Sequence, residues 1–169
     1  RGCPYDCIFC SQRIITGRAV GFFRVERVID DIKLLVEKYN AKFINFLDDN
    51  FCISKNRLNE LIDAIIASGY HKKVEFNAQL RADTVTPEIM NKFKKANFTQ
   101  LSLGMESGSN RLLKLLQKSL TVEDNVQAIN IAALHKVPIM ACLIFGLPTE
   151  TRQERLDTAK LIRSLPLTS

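Results

Sequence analysis

The sequence predicts an α/β chain built on a parallel sheet. Helical and strand periodicities alternate along nearly its whole length, and the connections between them are short. The strand candidates are short, dense apolar runs bounded by turn residues. Alternation of this kind produces βαβ units, whose crossovers force the strands parallel. With 169 residues, 46% hydrophobic and 25% charged, the chain fits a single globular domain and not a disordered one.

The elements follow in order. Val25, Val28, Ile29, Ile32, Leu35, Val36 and Tyr39 recur at helical spacing, and Asn40 stops the helix. The run 43–47 (Phe43, Ile44, Phe46, Leu47) is dense enough for a strand covered on both faces. Leu58, Leu61, Ile62, Ile65 and Ile66 form the next helical stripe, with Ser54 as cap and Gly69 as stop. A strand over 74–80 follows. Thr86 then caps a helix with Pro87 in its first turn, running to about Ala96. Next come a strand over 99–103 and a short helix over 110–117. Thr121 and Asp124 form a capping box that opens a helix to about His135. Residues 137–145 make the most apolar strand, and Thr149 or Thr151 caps a last helix before Pro166. A doubly wound sheet and a partial barrel both accommodate these four strands.

Charge and composition exclude several classes. The net charge is +6, but the basic residues are scattered: Arg13, Arg18, Arg24, Arg27, Lys72, Lys73, Lys92, Lys94 and Lys95 suit exposed helix faces and turns. No dense basic stripe interleaved with aromatics tracks a nucleic-acid backbone. The longest apolar stretch, 137–147, has strand length and cannot span a bilayer. No segment reads as a signal peptide. Of five cysteines, three fall within the first ten residues, which is no disulfide framework. Such crowding points to metal or redox chemistry in a reducing compartment, and the expected location is cytoplasmic.

The segment Cys3-Pro-Tyr-Asp-Cys7-Ile-Phe-Cys10 spaces three thiols as C-x-x-x-C-x-x-C. Three thiolates on one loop can hold three irons of a 4Fe–4S cluster and leave the fourth iron open to a ligand. Structural zinc wants a fourth protein ligand, which Cys52, His71 or His135 would have to supply.

With Phe9 immediately before the last cysteine, the motif and its flanks resemble the signature of radical S-adenosylmethionine (SAM) enzymes. The resemblance is strongest to the branch with cobalamin-dependent radical SAM enzymes and methylthiotransferases. It implies a partial parallel (β/α) barrel, a 4Fe–4S cluster on Cys3, Cys7 and Cys10, and SAM as cofactor. It implies that Phe9 packs near the SAM adenine and that Asp48 and Asp49, in a segment similar to the family's DDxF, lie at the site mouth. Gln79 stands where a related branch has a glutamate that helps hold the SAM methionine group, and Arg81 could address a carboxylate. The stretch from Gly104 through Glu106, Ser107 and Gly108 resembles the family's GxES element. There Glu106 would accept from the ribose hydroxyls, and the glycines would admit the backbone close to the cofactor. Lys118 takes the place of an arginine that pairs with the SAM carboxylate. Ile144 and Gly146, in a stretch close to GLPxET, would back the adenine. Cys142 sits where some relatives have glycine or aspartate and is expected to be a small buried residue, as is Cys52.

The same resemblance places the family's first strand before residue 1 and its last beyond residue 169. It thus implies a core truncated at both ends, with an unpaired edge. Its chemistry implies a 5′-deoxyadenosyl radical that takes hydrogen from an unknown substrate. The reaction would be cobalamin-dependent methyl transfer or rearrangement, with methylthiolation as the alternative. Electrons would come from a donor such as a flavodoxin or ferredoxin, and cobalamin would enter through a domain outside this chain. A reading from another class is a non-catalytic module that holds zinc or a closed cluster.

Overall fold

The computed structural model describes residues 2–167. Four strands, β1 (Phe43–Phe46), β2 (Glu75–Leu80), β3 (Phe98–Glu106) and β4 (Ile139–Leu143), form one parallel sheet in the order β1-β2-β3-β4. Around them run α1 (Gln12–Ile15), α2 (Val25–Glu37), α3 (Lys55–Ser68), α4 (Pro87–Lys95), α5 (Asn110–Leu115), α6 (Val122–Leu134) and α7 (Arg152–Ser164).

Strand order follows chain order, without the reversal that a doubly wound sheet has at its switch point. The two sheet faces also differ. Ile44, Phe76, Ala78, Leu80, Leu101, Leu103, Met105 and Ile139 are buried, and most pack into one core with residues of α2, α3, α4 and α6. The rings of Phe93 and Phe98, with centroids 4.5 Å apart, sit within it beside Phe76. Strand alternation puts Asn45, Asn77, Gln79, Ser102, Gly104 and Glu106 on the opposite face. There Asn77 Nδ2 donates to Asn45 Oδ1 at 3.1 Å and to Ser102 Oγ at 3.5 Å. Helices on one face, a polar opposite face and sequential strand order make an arc of a (β/α) barrel. That decides between the two architectures the periodicity allowed.

The helix ends follow their chemistry. Ser54, Thr86, Thr121 and Thr151 each accept from the amide three residues on. Each such cap contributes about 0.5–2 kcal/mol. Thr121–Asp124 and Thr151–Glu154 are full capping boxes. Thr151 is therefore the cap of α7, while Thr149 takes a left-handed φ of 65°.

Three expectations need correction. The first visible strand is not covered on both faces: Phe43 is 48% and the adjoining Leu47 84% exposed, because β1 is a sheet edge with helices on one side only. Met140, in the most apolar run, lies on the polar face of the other edge and is half exposed. Cys142, on that same polar face, is only partly buried and is not a core residue. The third strand also extends beyond 103 to Glu106, so the glycine–glutamate element lies within the strand.

Candidate active site

The loop carrying Cys3, Cys7 and Cys10 is held at three places. Gly2 N donates to Asp49 Oδ2, just past β1, at 3.1 Å. Tyr5 meets Arg81 and Asp83, just past β2. Ile8 N donates to the carbonyl of Leu116, past α5, at 3.0 Å. Gly2 has φ +91°, and a Cβ there would run into the Ala19 carbonyl, so only glycine fits.

At the middle attachment Arg81 is 4% exposed. Its Nε and Nη2 donate to the two oxygens of Asp83 at 3.2 and 3.3 Å, and Nη2 also donates to the Lys118 carbonyl at 3.1 Å. The guanidinium carbon lies 3.5 Å from the centroid of the Tyr5 ring. The Tyr5 hydroxyl donates to Asp83 Oδ2 at 3.4 Å. Burial, then the Asp83 carboxylate, raise the Tyr5 pKa, and Arg81 opposes them.

Beyond this lies a buried ion pair. Lys118 Nζ donates to Glu106 Oε1 at 2.8 Å, and both side chains are under one-tenth exposed. A Cβ on Gly104 would come within 2.6 Å of Glu106 Oε1 and 2.8 Å of Lys118 Nζ, so this glycine makes room for the pair. Lys118 Nζ also stands 5.7 Å from the centroid of Phe9. The backbone is left-handed at Glu106 (φ 65°) and on both sides of Lys118, at Gln117 (φ 52°) and Ser119 (φ 56°). Non-glycine residues reach this region at a cost of about 1–3 kcal/mol each, and such strain gathers at functional sites. A register shift between Gly104 and Glu106 accompanies it. The Cys7 thiol has its pKa raised by burial, against the pull of Lys118 and Arg81, while Cys3 and Cys10 raise it further. Cys142 is raised by burial and by Glu106.

The structure thus brings Cys7, Phe9, Arg81, Gly104, Glu106 and Lys118 together with the cysteine loop. Ile144 adjoins them, its amide donating to the Glu106 carbonyl at 2.9 Å and its side chain packing on Leu112, Leu116 and Leu147. The other candidates lie differently. Asp48 lines a mainly apolar cavity of about 330 Å³ between α2, β1 and α3. Gln79 has an exposed side chain on the polar face, and its carbonyl accepts from Phe51 N at 3.0 Å. Ser107 is buried and its hydroxyl accepts from Ser109 N at 3.1 Å, which serves the turn. Gly146 has open space beside it, φ +77°, and an amide that donates to Glu150. Tyr5, Asp83 and Gly2 were not singled out from the sequence. Tyr5 was legible only as an aromatic between two cysteines.

The donor set suits a cluster better than a single ion. Among the described residues, no three His, Cys, Asp or Glu side chains converge as ligands of one metal ion do. Three thiolates of a 4Fe–4S cluster each take a different iron, and Cys3, Cys7 and Cys10 are all free thiols on one loop backed by two cations. Cys52, a fourth ligand that structural zinc could have used, is buried in the helix-side core with its pKa pushed up to about 12 by that burial. His135 instead meets Asn91 Oδ1 at 2.9 Å through Nδ1.

The model of the radical SAM superfamily matches residues 1–162. The chain belongs to that superfamily, a group of enzymes whose cofactors are SAM and a 4Fe–4S cluster. An uncharacterized methyltransferase of Pyrococcus horikoshii is 30% identical over 99% of this chain and 36% of its own length. The anaerobic magnesium-protoporphyrin IX monomethyl ester cyclase of Cereibacter sphaeroides is 29% identical over 95% of this chain and 26% of its own. The radical SAM methyltransferase TsrM from Kitasatospora setae, solved with cobalamin and a [4Fe–4S] cluster, shares the fold. Its TM-score is 0.84 at 18% identity, over 96% of this chain and 33% of TsrM. The chain therefore spans between a quarter and two-fifths of these proteins. Among the described residues no helix is long and apolar enough to cross a membrane.

Proposed function

We propose that this chain is the catalytic core of a radical SAM enzyme that carries out cobalamin-dependent methyl transfer or rearrangement. The observation that carries the reading is the buried Lys118–Glu106 pair, set on strained backbone between Phe9 and Gly104 and within electrostatic reach of Cys7. Cys3, Cys7 and Cys10 would hold the cluster. Bound there, the cluster and SAM would supply one-electron reductive chemistry able to start hydrogen abstraction from a substrate.

The chain's own residues bind, aim and exclude water. Lys118 offers a point charge to the SAM carboxylate, and Glu106 accepts from the ribose hydroxyls. In the free protein each group neutralises the other, so neither charge is stranded in a low-dielectric site. Phe9 and Ile144 give the adenine apolar surface. Asp49 acts on the site through Gly2. The similarity to the Pyrococcus methyltransferase and to cobalamin-bound TsrM supports a cobalamin-dependent reaction, with cobalamin carried outside this chain. A flavodoxin or ferredoxin would supply the electron.

The test is anaerobic reconstitution of the full-length protein with iron and sulfide, followed by low-temperature EPR of the reduced form. A 4Fe–4S signal that changes on adding SAM is expected, and Cys7→Ala should lose the intact cluster. Full iron content with SAM cleavage in that variant would sink the assignment. A cluster indifferent to SAM, or zinc without a cluster, would favour a non-catalytic metal module. Undiminished turnover in cobalamin-free protein would remove the cobalamin part alone.

A further inference from the structure

We propose that Arg81 is a positioning residue, not a cofactor ligand: through Tyr5 it holds the cysteine loop, and through the Lys118 carbonyl it fixes the segment that carries the site's other cation. The inference rests on the radical SAM reading of that loop.

The guanidinium can grip a carboxylate bidentately at two edges, Nε–Nη2 and Nη1–Nη2, and both edges use Nη2. The first edge already faces Asp83, with Nε on one oxygen at 3.2 Å and Nη2 on the other at 3.3 Å. The Lys118 carbonyl takes Nη2 as well, at 3.1 Å. One face of the plane is covered by the Tyr5 ring at 3.5 Å. A cofactor carboxylate could be gripped at either edge only by displacing Asp83, which also accepts from the Tyr5 hydroxyl, or the Lys118 carbonyl. Arg81 therefore joins three parts of the chain: the loop between Cys3 and Cys7, the end of β2, and the turn between α5 and α6. Lysine could keep the charge but neither the fork nor the flat stacking surface.

The experiment uses the full-length protein, reconstituted anaerobically, with variants Arg81→Lys, Tyr5→Leu, Tyr5→Phe and the double variant Arg81→Lys/Tyr5→Leu. Three readouts are taken: iron release to a ferrous chelator, the EPR line shape of the reduced cluster, and the affinity for SAM. Arg81→Lys and Tyr5→Leu should each speed iron release by roughly tenfold or more, the scale of a desolvated cation–π contact. Both should alter the line shape. Tyr5→Phe, which keeps the ring, should stay near wild type. The double variant should release iron no faster than the worse single one, because both remove one shared contact. Tyr5→Leu changes only the loop surface, so it reads the proposal even where Arg81→Lys disturbs folding.

A direct ligand role predicts the opposite pattern. Arg81→Lys would then lose SAM affinity, release iron at the wild-type rate and act independently of Tyr5. That pattern, or additive effects, overturns the proposal while the radical SAM reading stands. Wild-type protein that takes up no cluster overturns both.

Discussion

The rim beyond β2 and β3 and the rim beyond β4 are built on opposite principles. On the first, Arg81, Glu106 and Lys118 are 4%, 7% and 6% exposed, and each is engaged by a protein partner. On the second, Phe145 is 52% exposed and Gly146 has open space beside it. That second rim is braced from behind, where Glu150 accepts from the Gly146 amide and Arg111 pairs with Glu154 at 2.7 Å. Buried charges must have their partners fixed before a ligand arrives, because an unpaired one would cost several kcal/mol. Apolar surface and main chain need no such partner. The molecule thus prearranges the side suited to the polar end of a ligand and leaves the side suited to a flat apolar group open.

The hardest way to break this contrast is to strand a charge on the first rim. Lys118→Met leaves Glu106 buried alone and should cost about 3–5 kcal/mol, read by denaturant unfolding. Adding Glu106→Leu should restore most of that loss, since replacing both members of a buried pair by apolar groups is often neutral. A double variant as unstable as the single one would show that the pair is not the source of the loss.

The same substitution on the two rims should then fail for different reasons. Gly104→Ala drives a methyl into the Glu106–Lys118 pair and should cost about 1–3 kcal/mol by overpacking. It should also weaken SAM binding, measured by titration of the reconstituted protein, without loss of iron. Gly146→Ala meets no atom and carries only the strain of φ +77°, so about 1 kcal/mol is expected. Equal losses at the two positions would remove the distinction between a crowded rim and an open one.

How much of this was legible in the sequence depends on the range of the interaction. Thr86, Thr121 and the stop at Gly69 were readable because a cap is settled within one helical turn. The three cysteines were readable because their spacing lies within one loop. β1 was misread because periodicity reports apolar content and not which sheet edge lacks a covering layer. Glu106 and Lys118 were each recognisable by resemblance, but not as partners: β3 ends at one and a strained turn presents the other. Arg81 and Tyr5 meet only when the end of β2 closes on the first loop, and no local pattern announces that contact.

The smallest expected effect lies behind the second rim, at Glu154. Hydrogen bonds from the Arg111 guanidinium, then from the Thr151 amide and the Ser109 hydroxyl, hold its carboxyl well below the usual carboxylate range. A carboxyl depressed in the folded state stabilises that state fully above its unfolded pKa of about 4.3, and the contribution fades as pH falls through the folded value. The Arg111 side of the pair is half exposed, so solvent screens it and the effect is small. Glu154→Gln should therefore lower the denaturant midpoint slightly and by the same amount from pH 8 to pH 5, with the gap closing below about pH 4. A gap that persists unchanged to pH 3 would mean that Glu154 braces α7 through geometry alone, and the charge would drop out of the account of how the open rim is held.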